Sequence, residues 1–200
     1  MPDTDTDALV TIVGGGVHGV HMAVRLLQAD LVEPHELRIV DPCGLLEAFR
    51  RQCRQCGMVE FRSPFVHHVD TDPFSLRDFA QARGREDELV ASSVGADRPT
   101  TSLFFDHAEC LCEQYDLEST RLDARVTDLI DRRDVVEIDT TRDRINSRWC
   151  LLAVGHGGSV TYPGWAERLT TTGPVTHIWE PAFDPDAIDE TSAIGIVGGG

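Results

Sequence analysis

The chain has 200 residues, of which 41% are hydrophobic, and its 34 acidic residues outnumber 18 basic ones for a formal net charge of −16. That length supports a buried core in one large or two small domains, and that charge excludes nucleic acid as a natural partner. All the basic residues are arginine, a composition that fits a protein kept hydrated in concentrated salt and equally an acidic cytosolic protein from a GC-rich genome.

The first ten residues, MPDTDTDALV, lack the positive and apolar regions of a secretory signal, and no apolar run is long enough to span a bilayer. A cytoplasmic, membrane-free protein with mostly reduced cysteines is expected. Leu9 to Val13 forms a short apolar run that breaks at Gly14-Gly15-Gly16, as a buried strand ending in a tight turn does. Val17, Val20, Val24, Leu27 and Leu31 then recur at spacings of three and four. They predict a helix with one apolar stripe, ended by Pro34. Leu37 to Val40 predicts a second strand closed by Asp41-Pro42, completing a strand–helix–strand crossover.

Residues 44 to 57 read as a polar helix, 58 to 75 as an extended loop, Leu76 to Arg83 as a helix, the charged stretch after it as loop, and Phe104 to Tyr115 as another helix. Alternation then predicts strands at Arg125–Leu129, Val135–Thr140 and Trp149–Val154, a small meander returning to the sheet. Residues 155 to 190 read as a connector.

Gly14, Gly16 and Gly19 form G-x-G-x-x-G at a strand-to-helix junction. The first glycine permits the sharp turn, the second lets a pyrophosphate approach the backbone, and the third brings helix and strand together. Gly15, Val17 and His18 complete the turn and the first free N–H groups of the helix. Asp41, at the end of the second strand, is placed to accept hydrogen bonds from ribose hydroxyls and to repel a 2′-phosphate, so FAD or NAD is expected there. A glycine turn that merely bends the chain is the alternative, and an Asp before Pro can also simply cap a turn.

Cys53-Arg-Gln-Cys56 lies beside Arg51 and Arg54, whose charges favour thiolate. Ordinary thiols, a redox pair, or a zinc site shared with Cys110 and Cys112 are the choices, the last weakened by its C-x-C spacing. His67 and His68 are neighbours in an extended segment and point to opposite faces, so no metal site is expected from them.

With TIVGGGVHGVHMAVRLL, RIVDP, FRSPFVHHVDTDPFSLRDFA and LLAVGHGGSVTYPGWA in place, the chain resembles the FAD/NAD(P)-binding oxidoreductases related to lysine and ornithine N-monooxygenases. The resemblance implies an α/β, Rossmann-like FAD-binding domain with a parallel sheet, helices and a small β-meander. It also implies NAD(P)H as electron donor, a small-molecule substrate, and amine hydroxylation by oxygen at the reduced flavin. By position, Gly14, Gly16, Gly19 and Asp41 would hold the FAD adenosine and pyrophosphate, Val126 would meet the adenine through its backbone, and Gly155 would lie near the cofactor. Arg62, Ser63, His67 and His68 would lie on a loop facing flavin or substrate. A tryptophan expected after Leu45 is missing. A flavin-linked thiol–disulfide reductase using Cys53 and Cys56, and a nucleotide-binding module without catalysis, are the competing classes.

The final IGIVGGG, residues 194 to 200, repeats the first glycine turn. It predicts an FAD-binding domain over 1–190 and, over 191–200, the first strand and glycine turn of a truncated NAD(P)-binding domain, with Gly198 and Gly200 as its phosphate-facing glycines. Residues 194 to 197 are expected to dock loosely without their neighbouring strands.

Overall fold

The computed structural model describes residues 6–93, 95–155, 160–170, 175–180 and 183–198. Strand β1 (Ala8–Val13) runs into the glycine turn and helix α1 (Val17–Gln28). Strand β2 (Leu37–Val40), helices α2 (Glu47–Gln55) and α3 (Ser75–Ala82), and a two-residue hairpin of β3 (Leu89–Val90) and β4 (Arg98–Pro99) follow. Next come helices α4 (Thr101–Gln114) and α5 (Leu117–Thr120), strands β5 (Arg121–Leu122), β6 (Val126–Asp131), β7 (Val136–Thr140) and β8 (Arg144–Leu152), and helix α6 (Gly164–Thr170).

Six strands form one sheet in the order β5-β2-β1-β8-β7-β6. β1 is parallel to both β2 and β8, and β2 to β5, whereas β6, β7 and β8 are antiparallel. This is the α/β architecture that the strand–helix–strand pattern predicts. β8 extends further toward its amino end than the predicted Trp149 start. Its residues 144–147 pair with β7, and 147–152 pair with β1. One long strand therefore joins the meander to the parallel sheet.

The core fills the face between β1, β2 and helices α1 and α4. Ile12, Val20, Val24, Leu37, Ile39 and Leu103 are fully buried there. The apolar stripe of α1 does what its spacing predicts, except that the helix ends at Gln28 and leaves Leu31 exposed. Thr100 caps α4, its hydroxyl accepting from Leu103 N–H at 3.1 Å, so α4 begins three residues before the predicted Phe104. A second small cluster, Val40, Ala124, Ile138 and Ile145, anchors the meander.

Residues 194–198 form no strand, and Ile196 and Val197 lie open to solvent. Gly198 has φ +105 with open space around it, while Gly200 lies outside the described residues. Among the described residues no helix is long and apolar enough to cross a membrane.

Candidate functional site

The glycine turn is built as its spacing predicts, each glycine for a separate reason. Gly14 has φ +109, and a Cβ on it would lie 2.4 Å from the Ala153 carbonyl oxygen, so the turn presses against the chain leaving β8. A Cβ on Gly19 would lie 1.9 Å from the Gly14 carbonyl oxygen, so only glycine lets α1 sit this close to β1. Gly16 is the opposite case, because a Cβ there meets nothing within 4 Å. It is the N-cap residue of α1 and supplies no side chain to cap the first helical N–H groups. A pyrophosphate fits this cradle: space where a side chain would stand, unpaired amides and the positive end of a helix dipole.

Asp41 sits beside the same turn and is buried. Its Oδ2 accepts from Gly15 N–H at 2.8 Å, and its Oδ1 accepts from Cys43 and Gly44 N–H at 2.7 and 3.1 Å. A carboxylate offers about four acceptor positions. Three are committed to the backbone, and Oδ2 retains one for a ribose hydroxyl. The three backbone bonds make Asp41 a turn cap and leave one acceptor position on its Oδ2. Val126 lies in the small apolar cluster beside the end of β2, and Gly155, exposed and at φ +59, follows the Ala153 contact.

A cleft of about 480 Å³ opens next to the start of α1. Val17, His18 and His21 of α1 form one wall and Phe49, Phe61 and Phe104 another, and the loop from Ser63 to Pro73 closes it. Phe49 and Phe61 stack with centroids 5.7 Å apart, and Phe61 meets Phe104 at 4.7 Å. An aromatic wall thus exists without the missing tryptophan. Of the predicted loop residues, Ser63, His67 and His68 line the cleft, whereas Arg62 is exposed and is not part of the lining.

His21, Asp70 and the phenylalanines were not singled out from the sequence. A usable signal was the three-residue step from His18 to His21, which puts both on one face of α1. His67 is exposed and His68 half-buried, as opposite-facing neighbours require.

Behind the cleft, His68 meets His107 edge to face at 5.1 Å, and His107 Nε2 lies 2.6 Å from Ser75 Oγ. Burial pushes the His107 pKa down to about 4, helped by His68. Burial also lowers that of His68, and it outweighs the backbone hydrogen bond at Pro73 and the charges of Asp70 and Asp72, which act to raise it. Burial would raise the Asp70 carboxyl, but hydrogen bonds from Ser75, Gln28 and the Thr71 and Asp72 N–H groups prevail and lower it. The cleft therefore holds an ionised Asp70 carboxylate and, in His68, an imidazole that burial makes harder to protonate.

Of the three readings of the cysteine pair, the surroundings of Cys53 fit an ordinary buried thiol. Cys53 is 3% exposed on α2, and burial, reinforced by Cys56, pushes its thiol up to about 11. Cys56 is the residue that ends α2 at its carboxyl terminus. Arg51 does not serve the pair: its Nη2 lies 3.9 Å from Cys43 Sγ. Iodoacetamide is expected to label exposed Cys43 well before Cys53, and mass spectrometry of timed digests checks the order.

This fold, turn and cleft define a dinucleotide-binding α/β domain. The model of the FAD-NAD(P)-binding family matches residues 11–157, and the chain belongs to that family. No curated protein matches the sequence. Among solved structures, L-lysine 6-monooxygenase from Pseudomonas syringae superposes with a TM-score of 0.55 at 17% identity over 81% of this chain and 40% of its own. A cyclohexanone monooxygenase variant from Rhodococcus sp. Phi1, bound to NADP+, gives 0.55 at 15% identity over 77% and 27%. Bacillithiol disulfide reductase from Staphylococcus aureus gives 0.50 at 15% identity over 78% and 40%. At these identities the likeness is one of fold. The chain spans less than half the length of each of these proteins.

Proposed function

We propose that this chain is the FAD-holding part of an NAD(P)H-dependent flavoprotein oxidoreductase that hydroxylates a small amine. The observation that carries the reading is a cleft that begins at Val17 and His18, next in the chain to Gly16, and whose described lining holds histidines, one carboxylate and aromatic rings but no cysteine. FAD, once reduced by NAD(P)H, would supply the electrons for oxygen activation. The protein's own contributions are to seat the pyrophosphate on the turn, receive a ribose hydroxyl at Asp41 Oδ2 and screen the reacting end from water with Phe49, Phe61 and Phe104. The buried, high-pKa Cys53 argues against the thiol–disulfide alternative. In the same proposal, residues 191–200 begin a second, NAD(P)-binding unit, with Gly198 and Gly200 in the phosphate turn.

Reconstitution with FAD tests the first half of this reading. The expected result is a yellow protein with flavin absorbance retained through gel filtration. A colourless protein after incubation with excess FAD overturns it. Amine-dependent oxygen and NAD(P)H consumption with hydroxylamine product tests the second half. Loss of turnover in a Cys56→Ser variant would instead favour disulfide chemistry.

A further inference from the structure

His21 occupies an unusual position in the cleft. It projects from α1 one turn beyond His18, half-buried, with its Nδ1 3.0 Å from the carbonyl oxygen of Val69. A carbonyl can only accept, so in this contact the imidazole proton resides on Nδ1, and the neutral ring presents its Nε2 lone pair. Val69 is itself fully buried, so the carbonyl that fixes the tautomer belongs to a well-held segment.

We propose that His21 is the proton acceptor of this cleft, taking a proton at Nε2 from the ammonium of an amine substrate. The substrate N–H bond breaks, its electron pair stays on nitrogen, and an Nε2–H bond forms. The Nδ1–H remains on the Val69 carbonyl, which also stabilises the resulting imidazolium.

Three features of the surroundings suit this role. Asp70 lines the same cleft as a carboxylate, whose charge attracts a cationic amine into it. Another lining imidazole, His68, has its pKa lowered by burial, so it is the weaker competitor for the proton. Among the described residues no arginine lines the cleft, and lysine is absent from the chain, so an incoming ammonium meets no fixed positive side chain among them. An amine is oxidised at nitrogen through its lone pair, which the ammonium form lacks; deprotonation must therefore precede the chemistry.

The identity of the substrate rests on the amine-hydroxylation reading, whereas the tautomer and accepting atom of His21 do not. Asparagine places its amide near the position of Nδ1, so a His21→Asn variant keeps the donor to Val69 and removes the accepting nitrogen.

In ¹⁵N spectra of the histidine rings of the 200-residue chain, His21 is expected as the Nδ1–H tautomer, with Nε2 shifted on adding n-butylamine but not butane-saturated buffer. His21→Asn is expected to melt with the parent, to lose the n-butylamine response of the Ser63 and His67 amides, and in the complete flavoprotein to lower amine-dependent turnover about 100-fold with recovery on adding imidazole. An Nε2–H tautomer, or a His21→Asn protein that responds to n-butylamine like the parent, overturns the proposal. If n-butylamine shifts His21 while no amine drives NAD(P)H oxidation, the proton-accepting role stands and the hydroxylation reading fails.

Discussion

A Gly16→Val protein is expected to fold like the parent and to bind FAD at least 100-fold more weakly, whereas Gly19→Ala is expected to lose about 3 kcal/mol of stability. The contrast follows from what each added side chain would meet. At Gly16 the backbone is extended, with φ −74 and ψ −172, a conformation open to any residue, and the space beyond is empty. The new side chain therefore strains nothing in the protein and fills only the cradle at the head of α1.

At Gly19 the first atom encountered is a backbone oxygen 1.9 Å away, and relieving that overlap requires α1 to move off β1. That helix carries Val20, Ala23 and Val24, all fully buried, so the movement opens the core. Thermal melts paired with flavin titrations check both halves. A Gly16→Val protein that binds FAD like the parent would remove the pyrophosphate from this turn.

Stability is expected to fall by about 3 kcal/mol between pH 6.5 and pH 4 through His107 alone. The folded protein holds this imidazole, 3% exposed, at a pKa of about 4 against an ordinary 6.5. As pH drops through that window the unfolded chain binds the proton and the folded one does not, so the balance shifts toward unfolding. His68 acts with the same sign. Carboxylates held low, such as Asp70 and Glu88, contribute stability that is lost only below their unfolded values near pH 4, which separates the two effects along the pH axis.

Protonation also relieves the self-repulsion of a chain with net charge −16, an opposing effect that a variant can cancel. In His107→Gln the amide nitrogen takes the place of Nε2 beside Ser75 while the titrating group is gone. Relative to the parent, this variant is expected to lose less stability from pH 7 to pH 4.5, by several degrees in melting temperature. Identical slopes for the two proteins would show that His107 titrates normally.

The parts of the fold legible in the sequence are those whose causes are local. β1, the glycine turn, α1 and β2 announce themselves through an apolar run, a glycine spacing and a helical stripe, and the separate duties of Gly14, Gly16 and Gly19 follow from that pattern. β5 does not, because two residues, Arg121 and Leu122, carry no period and become a strand only by lying against Ile39 and Val40.

The amino half of β8 escaped for a related reason. Arg144 to Ser147 alternate polar and apolar weakly, and their pairing with β7 is set by the meander. The cleft was half legible: Ser63, His67 and His68 stood out as a motif, but Asp70 and His21 come to line one cleft only after α1 and the loop pack together, 48 residues apart at the contact of His21 with Val69. The cysteines show the limit most plainly. Arginines adjacent in sequence to Cys53 suggested a thiolate, but helix geometry sends Arg51 to Cys43 and burial dominates at Cys53.

The seating of Gly14 against Ala153 has a consequence for the order of events in synthesis. β1 finds one sheet neighbour nearby, but the other is β8, and at the same edge Asp7 and Asn146 pair across 139 residues of chain. Contacts this distant in sequence form slowly and late. On the ribosome the glycine turn therefore spends most of elongation with one flank bare, and its final shape is set only when Ala153 has emerged. A nucleotide captured at that moment would act as a brake on unfolding, so FAD present during refolding is expected to raise the yield of folded chain.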